Sequence, residues 1–137
     1  MQLPATLIEK VVRHVNRKDW WHVPPQDPKA YQKRGKFLAS SFAEAEYWGR
    51  PLDKPLRVSI ARPLVGDEPA IAKVLGVAAQ HESMTLKEIE AHDARWRKAA
   101  IAKGYDAIVL MGPEPFAKFR TTGKLPRSIE LNILDVQ

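Results

Sequence analysis

Eleven prolines, spread from Pro4 to Pro126, set the scale of the elements this chain can build. Each fixes φ and removes a backbone donor, so a proline inside a helix or a central strand interrupts it. The chain is therefore expected to fold from short elements with frequent reversals, which excludes a helical bundle.

At 137 residues one domain is expected, residues 1–137, with an N-terminal helix over 3–18 and a core over 19–137. Hydrophobic residues at 45% and charged residues at 28% describe an ordinary globular chain rather than a disordered one. There is no cysteine, so disulfides, thiolate metal sites and cysteine nucleophiles are excluded. No apolar run is long enough to span a bilayer, and the N-terminus lacks the layout of a signal peptide. A cytoplasmic protein is expected, or one delivered into a target or host cell by a route the sequence does not show. The net charge of +6 favours an acidic partner, whether nucleic acid, an acidic protein or a phosphate-bearing cofactor. Charge that only aids solubility explains it equally well.

Leu3 to Lys18 has helical periodicity, with Leu7, Ile8, Val11, Val12 and Val15 on one face. Asp19 to Val23 reads as a strand ending at Pro24-Pro25, and Gln26 to Gly35 as a loop. Phe37 to Ser40 is a short strand. Ser41 then caps a short helix that carries Tyr47 and Trp48, with Glu44 at capping-box spacing and Gly49 and Pro51 as the stop. Arg57 to Ala61 reads as a strand, and Pro69 to Val77 as a helix capped by Asp67. Thr85 to Lys103 is a second capping-box helix, with Leu86, Ile89, Trp96, Ala100 and Ile101 as its buried stripe. Asp106 to Met111 is a central strand by its continuous apolar run. Gly112 to Arg127 reads as a loop, and Ser128 to Val136 as the last strand. Trp20, Trp48 and Trp96 are assigned to the core. The sum is an α+β chain, and its loop-connected short strands favour a split pair of small, mainly antiparallel sheets flanked by helices.

Phosphate-loop, dinucleotide-fingerprint and nucleophile-elbow motifs are all absent. His81-Glu82 has no second histidine at metal spacing, and His92 stands eleven positions on, so no metal site is expected. What remains is a histidine on an early strand (His22), an aromatic on a short helix (Tyr47) and a carboxylate between Ile129 and Leu131 in the last strand (Glu130). Taken alone, Glu130 is as well explained as an outward residue of an edge strand.

These segments, in this order, resemble the ADP-ribosyltransferase fold of the diphtheria-toxin and poly(ADP-ribose) polymerase type, with its histidine–tyrosine–glutamate triad. Trp21-His22-Val23-Pro24 stands where that family has its first-strand histidine. Gly35-Lys36-Phe37-Leu38-Ala39-Ser40, leading to Ala45-Glu46-Tyr47, matches the glycine-lysine strand and the tyrosine helix. Gly104-Tyr105-Asp106-Ala107-Ile108-Val109 resembles a further family strand, and Glu130-Leu131-Asn132-Ile133-Leu134-Asp135 the terminal one. The likeness runs over about residues 20 to 136.

The resemblance implies a small NAD-dependent mono-ADP-ribosyltransferase, similar to bacterial or phage toxins and effectors, acting on a protein or nucleic-acid acceptor. An inhibitor or antitoxin partner is implied as well, and no membrane. It implies nicotinamide over Tyr47, His22 on the adenosine-side ribose, and Glu130 on the nicotinamide ribose, where it stabilises oxocarbenium character. Val23 would offer its backbone to the nicotinamide amide, Phe37 would close the slot, and Ser40 and Ser41 would orient Glu130 or the ribose. Pro24 departs from the family, because it has no N–H to give. Ser128 stands where arginine-modifying members carry glutamate, so nothing favours arginine as acceptor. The segment before Glu130 corresponds to the family's target-recognition loop; here it holds Phe116, Lys118, Phe119, Arg120, Lys124, Arg127 and Ser128. Two other readings stay open: a catalytically degenerate member of the fold that only binds, favoured by Val23-Pro24, and an unrelated basic domain that binds nucleic acid through residues 118–127.

Overall fold

Local capping chemistry places three of the helices where the sequence puts them. In the computed structural model, which describes residues 3–81 and 83–135, Ser41 accepts from the Glu44 N–H, Asp67 from the Ala70 N–H, and Thr85 and Glu88 form a reciprocal capping box. The elements run α1 (Ala5–Arg17), β1 (Trp21–His22), α2 (Ala30–Arg34), β2 (Lys36–Ala39), α3 (Phe42–Glu46), β3 (Pro63–Gly66), α4 (Glu68–Leu75), α5 (Leu86–Ala102), β4 (Ala107–Leu110), α6 (Pro113–Thr122) and β5 (Glu130–Ile133).

The α+β class holds, but the strands form one sheet rather than two, in the order β1-β2-β5-β4-β3. Three pairings are antiparallel and the outer β3–β4 pairing is parallel. The last strand thus sits in the middle of the sheet, between β2 and β4. Helices cover both faces. Leu38, Leu131, Val109 and Val65 pack with Val11 and Val15 of α1 and Phe116 and Phe119 of α6. Leu64 and Ile108 pack on the other face with Ile71 and Leu75 of α4 and Trp96 and Ala100 of α5. These two sets are the alternate residues of each strand, as a pleated sheet requires.

Several local expectations change. Arg57–Ala61 joins no strand ladder. Both backbone groups of Ile60 are taken by the Asn16 side-chain amide, at 2.8 and 3.0 Å. The N–H groups of Ala61 and Arg62 go to the Asp106 carboxylate, at 2.7 and 3.0 Å. The strand forms instead at Pro63–Gly66, which the sequence reading took for its terminating turn. Within Gln26–Gly35, the five residues of α2 form a short helix.

The segment 112–127 is the largest change, because it contains α6. Pro113 and Pro115 lie in the first turn, where helical N–H groups have no partner to lose. Gly123 closes the helix in the left-handed conformation at φ 75°. The last strand is shorter than expected, and Val136, assigned to it from sequence, lies outside the described residues, as does Glu82. Leu86 and Ile101 are exposed rather than part of the α5 stripe, and Trp48 is exposed rather than core. No helix among the described residues is long and apolar enough to cross a membrane.

Candidate functional site

Register puts three side chains in one row across the sheet. Trp21 pairs with Ala39, and Ala39 with Glu130, on adjacent strands β1, β2 and β5. Directly paired residues share a face, so these three point to the α4–α5 side. All three are partly buried. The Ala39 methyl in the middle leaves a low floor between a taller aromatic and a carboxylate. At the aromatic end, Phe42 of α3 meets the Trp21 ring edge-on, with centroids 5.2 Å apart. Phe37, partly buried, stands one pair further along the same face, opposite Asn132.

At the acidic end the Glu130 carboxyl makes no hydrogen bond to any described residue. Burial, together with the negative charges of Asp93 and Glu68, pushes its pKa up to about 7. Asp93 of α5 and Glu68 at the start of α4 are both shifted upward as well, in each case chiefly by burial. Beside them His92 is 3% exposed, its Nδ1 lies 3.3 Å from Asp93 Oδ1, and its Nε2 has no partner. A glutamate in the central strand of a sheet is therefore not an outward edge residue.

Tyr47 and Trp48 follow α3 and form a projecting pair, 83% and 68% exposed, with ring centroids 5.1 Å apart at 82°. The chain beyond them is tied to β1. Leu52 donates its N–H to the His22 carbonyl at 2.9 Å. Gly49 sits so close to Val23 that a Cβ there would stand 2.8 Å from Val23 Cγ1. Val23 thus anchors the aromatic pair next to the edge strand.

His22 does not join Glu130. It pairs with Leu38, in the neighbouring row, whose side chains alternate to the other face. Two strand spacings and one residue step separate its Cα from that of Glu130 by roughly 10 Å. Its ring is engaged at both nitrogens, at 2.8 Å each: Nδ1 donates to the Phe37 carbonyl, and Nε2 meets the Tyr31 hydroxyl. A carbonyl only accepts, so Nδ1 carries the proton, and in the neutral ring Nε2 accepts from Tyr31. Burial and the charge of Lys36 favour that neutral form, against the pull of the Phe37 carbonyl. The expected role of this ring on a ribose is replaced by a structural one: it supplies the donor that Phe37 at the sheet edge lacks.

The two serines are also occupied. Ser40 Oγ bonds both the N–H and the carbonyl of Ile129, at 2.9 Å each, and so seats β5 one residue before Glu130. Ser41 caps α3 at 3.2 Å. Ser40 therefore orients Glu130 through the backbone, not by touching its carboxyl. Phe116 and Phe119, expected in a recognition loop, are core residues of α6 at 6% and 0% exposure and cannot face a target. Lys118 and Arg120 are exposed on α6, and Lys124, Arg127 and Ser128 are exposed after it.

Sequence reasoning left out Trp21, Ala39, Phe42, Glu68 and Asp93 as site residues, and weighed His92 only as a metal ligand. Only the strand register could have exposed Trp21 and Ala39, and only the helix packing the others. Comparisons with protein-family models, with curated proteins and with solved structures return no match. The fold and site thus define an α+β protein with a carboxylate and an aromatic side chain in one row across β1, β2 and β5.

Proposed function

We propose that this chain is an NAD-dependent mono-ADP-ribosyltransferase of the toxin or effector kind, acting on a macromolecular acceptor. The observation that carries the reading is the Trp21–Ala39–Glu130 row: an unpaired carboxyl, held in place by Ser40 and β5, at one end of a low floor with aromatic rings at the other. The residues present fit a flat cationic donor. Tyr47 and Trp48 offer exposed aromatic surface, and Glu130 has unused acceptor capacity.

NAD supplies an ADP-ribosyl group on a leaving nicotinamide that departs neutral. Tyr47 would hold the cationic ring by its face. Glu130 would accept from the ribose and stabilise positive charge as it develops. Val23 follows β1 at the sheet edge and Phe37 borders the floor, while the His22 side chain lies on the opposite face. A bound cation also favours the ionised form of Glu130, offsetting the burial that raises its pKa.

Nicotinamide release from NAD, and transfer of a labelled ADP-ribosyl group to lysate components, test the reading. Both are expected for the native chain, and both are expected to fall by at least about 100-fold in Glu130→Gln. Label transfer that survives this substitution overturns it. Salt-sensitive nucleic-acid binding without any nicotinamide release would favour the basic binding-domain reading instead.

A further inference from the structure

The surplus of positive charge is not spread over the molecule. Residues 4–18, which hold α1, carry Lys10, Arg13, Arg17 and Lys18 against Glu9 alone. Residues 113–127, which hold α6, carry Lys118, Arg120, Lys124 and Arg127 against Glu114 alone. The excess in these two stretches equals the +6 of the whole chain. Both helices pack on the same face of the sheet. Residues 67–103, which hold α4 and α5 on the other face, balance six bases with six acids.

Two tie points draw the basic stretches together. Lys10 donates to the Gly123 carbonyl at the end of α6, at 2.5 Å, and Lys18 donates to the Ser40 carbonyl, at 2.6 Å. Ser40 in turn holds Ile129 by both backbone groups, at 2.9 Å each. Residues 123–129 therefore start beside Lys10 and end near Lys18, so this segment runs along α1. Lys124 and Arg127 are exposed on the segment, and Arg13 and Arg17 are exposed on α1 between the two tie points. Lys10, Arg13 and Arg17 recur at spacings of three and four residues, which puts them on one flank of the helix. The Lys10 contact turns that flank toward Gly123. Like charges at this spacing work against the helix that carries them. Among the described residues the ion pairs are Arg57–Asp19 and His92–Asp93, so no acid neutralises any of these cations.

The make-up of this surface selects its partner. The exposed large apolar side chains of the described residues are Phe42, Tyr47, Trp48, Leu52, Leu86 and Ile101, and none lies on α1, α6 or residues 123–129. Insertion into a lipid surface needs such side chains, and a protein interface is anchored by them. Stacking on single-stranded bases needs accessible aromatic rings, and Phe116 and Phe119 are buried in the core. Duplex nucleic acid can be held through charge on its phosphates alone. We propose that the basic flank of α1, with α6 and the segment after it, is a docking surface for the phosphate backbone of a nucleic-acid duplex, independent of base sequence. It lies on the opposite face of the sheet from the Trp21–Ala39–Glu130 row and does not depend on the proposed reaction.

Fluorescence anisotropy of labelled probes with the full chain, over a range of potassium chloride, tests it. The probes are two duplex DNAs of unrelated sequence, a duplex RNA, single-stranded DNA and poly-glutamate; vesicles of phosphatidylserine and phosphatidylcholine are tested by co-sedimentation. Duplex binding is expected, with a log–log salt slope between about −3 and −6, and preference between DNA and RNA identifies the kind of duplex. Arg13→Ala with Arg17→Ala, and separately Lys124→Ala with Arg127→Ala, are each expected to weaken binding at least about tenfold and to make the slope shallower by about 2. Lys87→Ala with Lys98→Ala on α5 removes the same charge and is expected to change affinity by less than about threefold. All six side chains are exposed, so cooperative melting is expected in each variant. An equal loss from the α5 pair, strong discrimination between the two DNA sequences, tighter binding of single strands, poly-glutamate or vesicles, or no duplex binding at low salt overturns the proposal. Nicotinamide release is measured separately, so duplex binding without release keeps this surface and removes only the reaction.

Discussion

The Glu130 carboxyl and the Ala39 methyl stand side by side on β5 and β2, facing α4 and α5 from the middle of the sheet. An acid in that position loses water without gaining a hydrogen bond, which is why burial leads the causes of its raised pKa.

That environment makes folding stability depend on pH. Glu130 binds its proton more tightly folded than unfolded, so its contribution is greatest below pH 4.5, falls as the pH rises to about 7, and is level above that. The span is worth on the order of 3 kcal/mol. Glu68 and Asp93 add in the same direction. His14 and His22, with lowered values, act oppositely. The quantity to read is therefore the difference between native chain and Glu130→Gln in urea unfolding at pH 5 and pH 8. The variant is expected to gain on the native chain at the higher pH; equal gains at both would contradict the burial of this acid.

Gly35 leaves α2 at φ 86°, where an added Cβ would stand 2.3 Å from Asn132 Oδ1 and 2.7 Å from the Ile133 carbonyl. Gly35→Ala is expected to cost at least about 2 kcal/mol, because strain and a backbone clash coincide. Chemical denaturation measures it, and a loss below 0.5 kcal/mol, the ordinary surface range, would argue against this approach of α2 to β5.

The exposed ring pair separates function from stability. Tyr47→Ala and Trp48→Ala are expected to change stability by no more than about 0.5 kcal/mol. Loss of one cation–π contact should still slow nicotinamide release by roughly 3- to 30-fold in Tyr47→Ala. Steady-state release assays beside thermal melts decide this. Large unfolding without a specific rate effect would make the ring structural.

The corrected α6 can be checked just as simply. Phe119→Ala removes a fully buried ring and should cost about 3–5 kcal/mol. Lys118→Ala, on the exposed side, should leave the melting temperature unchanged. A loop at this position would show little loss for either.

What could be read in advance was local. Ser41, Asp67 and Thr85 cap helices through atoms three residues away, and the run Asp106–Met111 is apolar enough to require a central strand. One error came from a partner far along the chain, the other from local proline chemistry. The Arg57–Ala61 segment looks like a strand until Asn16, 44 residues away, takes both backbone groups of Ile60. Pro113 and Pro115 look like loop residues until their place in a first turn is known. Glu130 stood out because it breaks an apolar strand, and His22 and Tyr47 through family resemblance. Glu68, His92 and Asp93 resemble any solvated helix residues, and only the packing of α4 and α5 over the sheet gives them a common neighbour.

The row across β1, β2 and β5 is tested most directly by nicotinamide release from NAD in three proteins side by side: the native chain, Glu130→Gln and Ala39→Leu. The first is expected to release nicotinamide. The second should lose it through its missing charge, and the third through a filled floor, with both still melting cooperatively. Release that continues undiminished in Glu130→Gln would contradict the assignment of that carboxyl to the reaction.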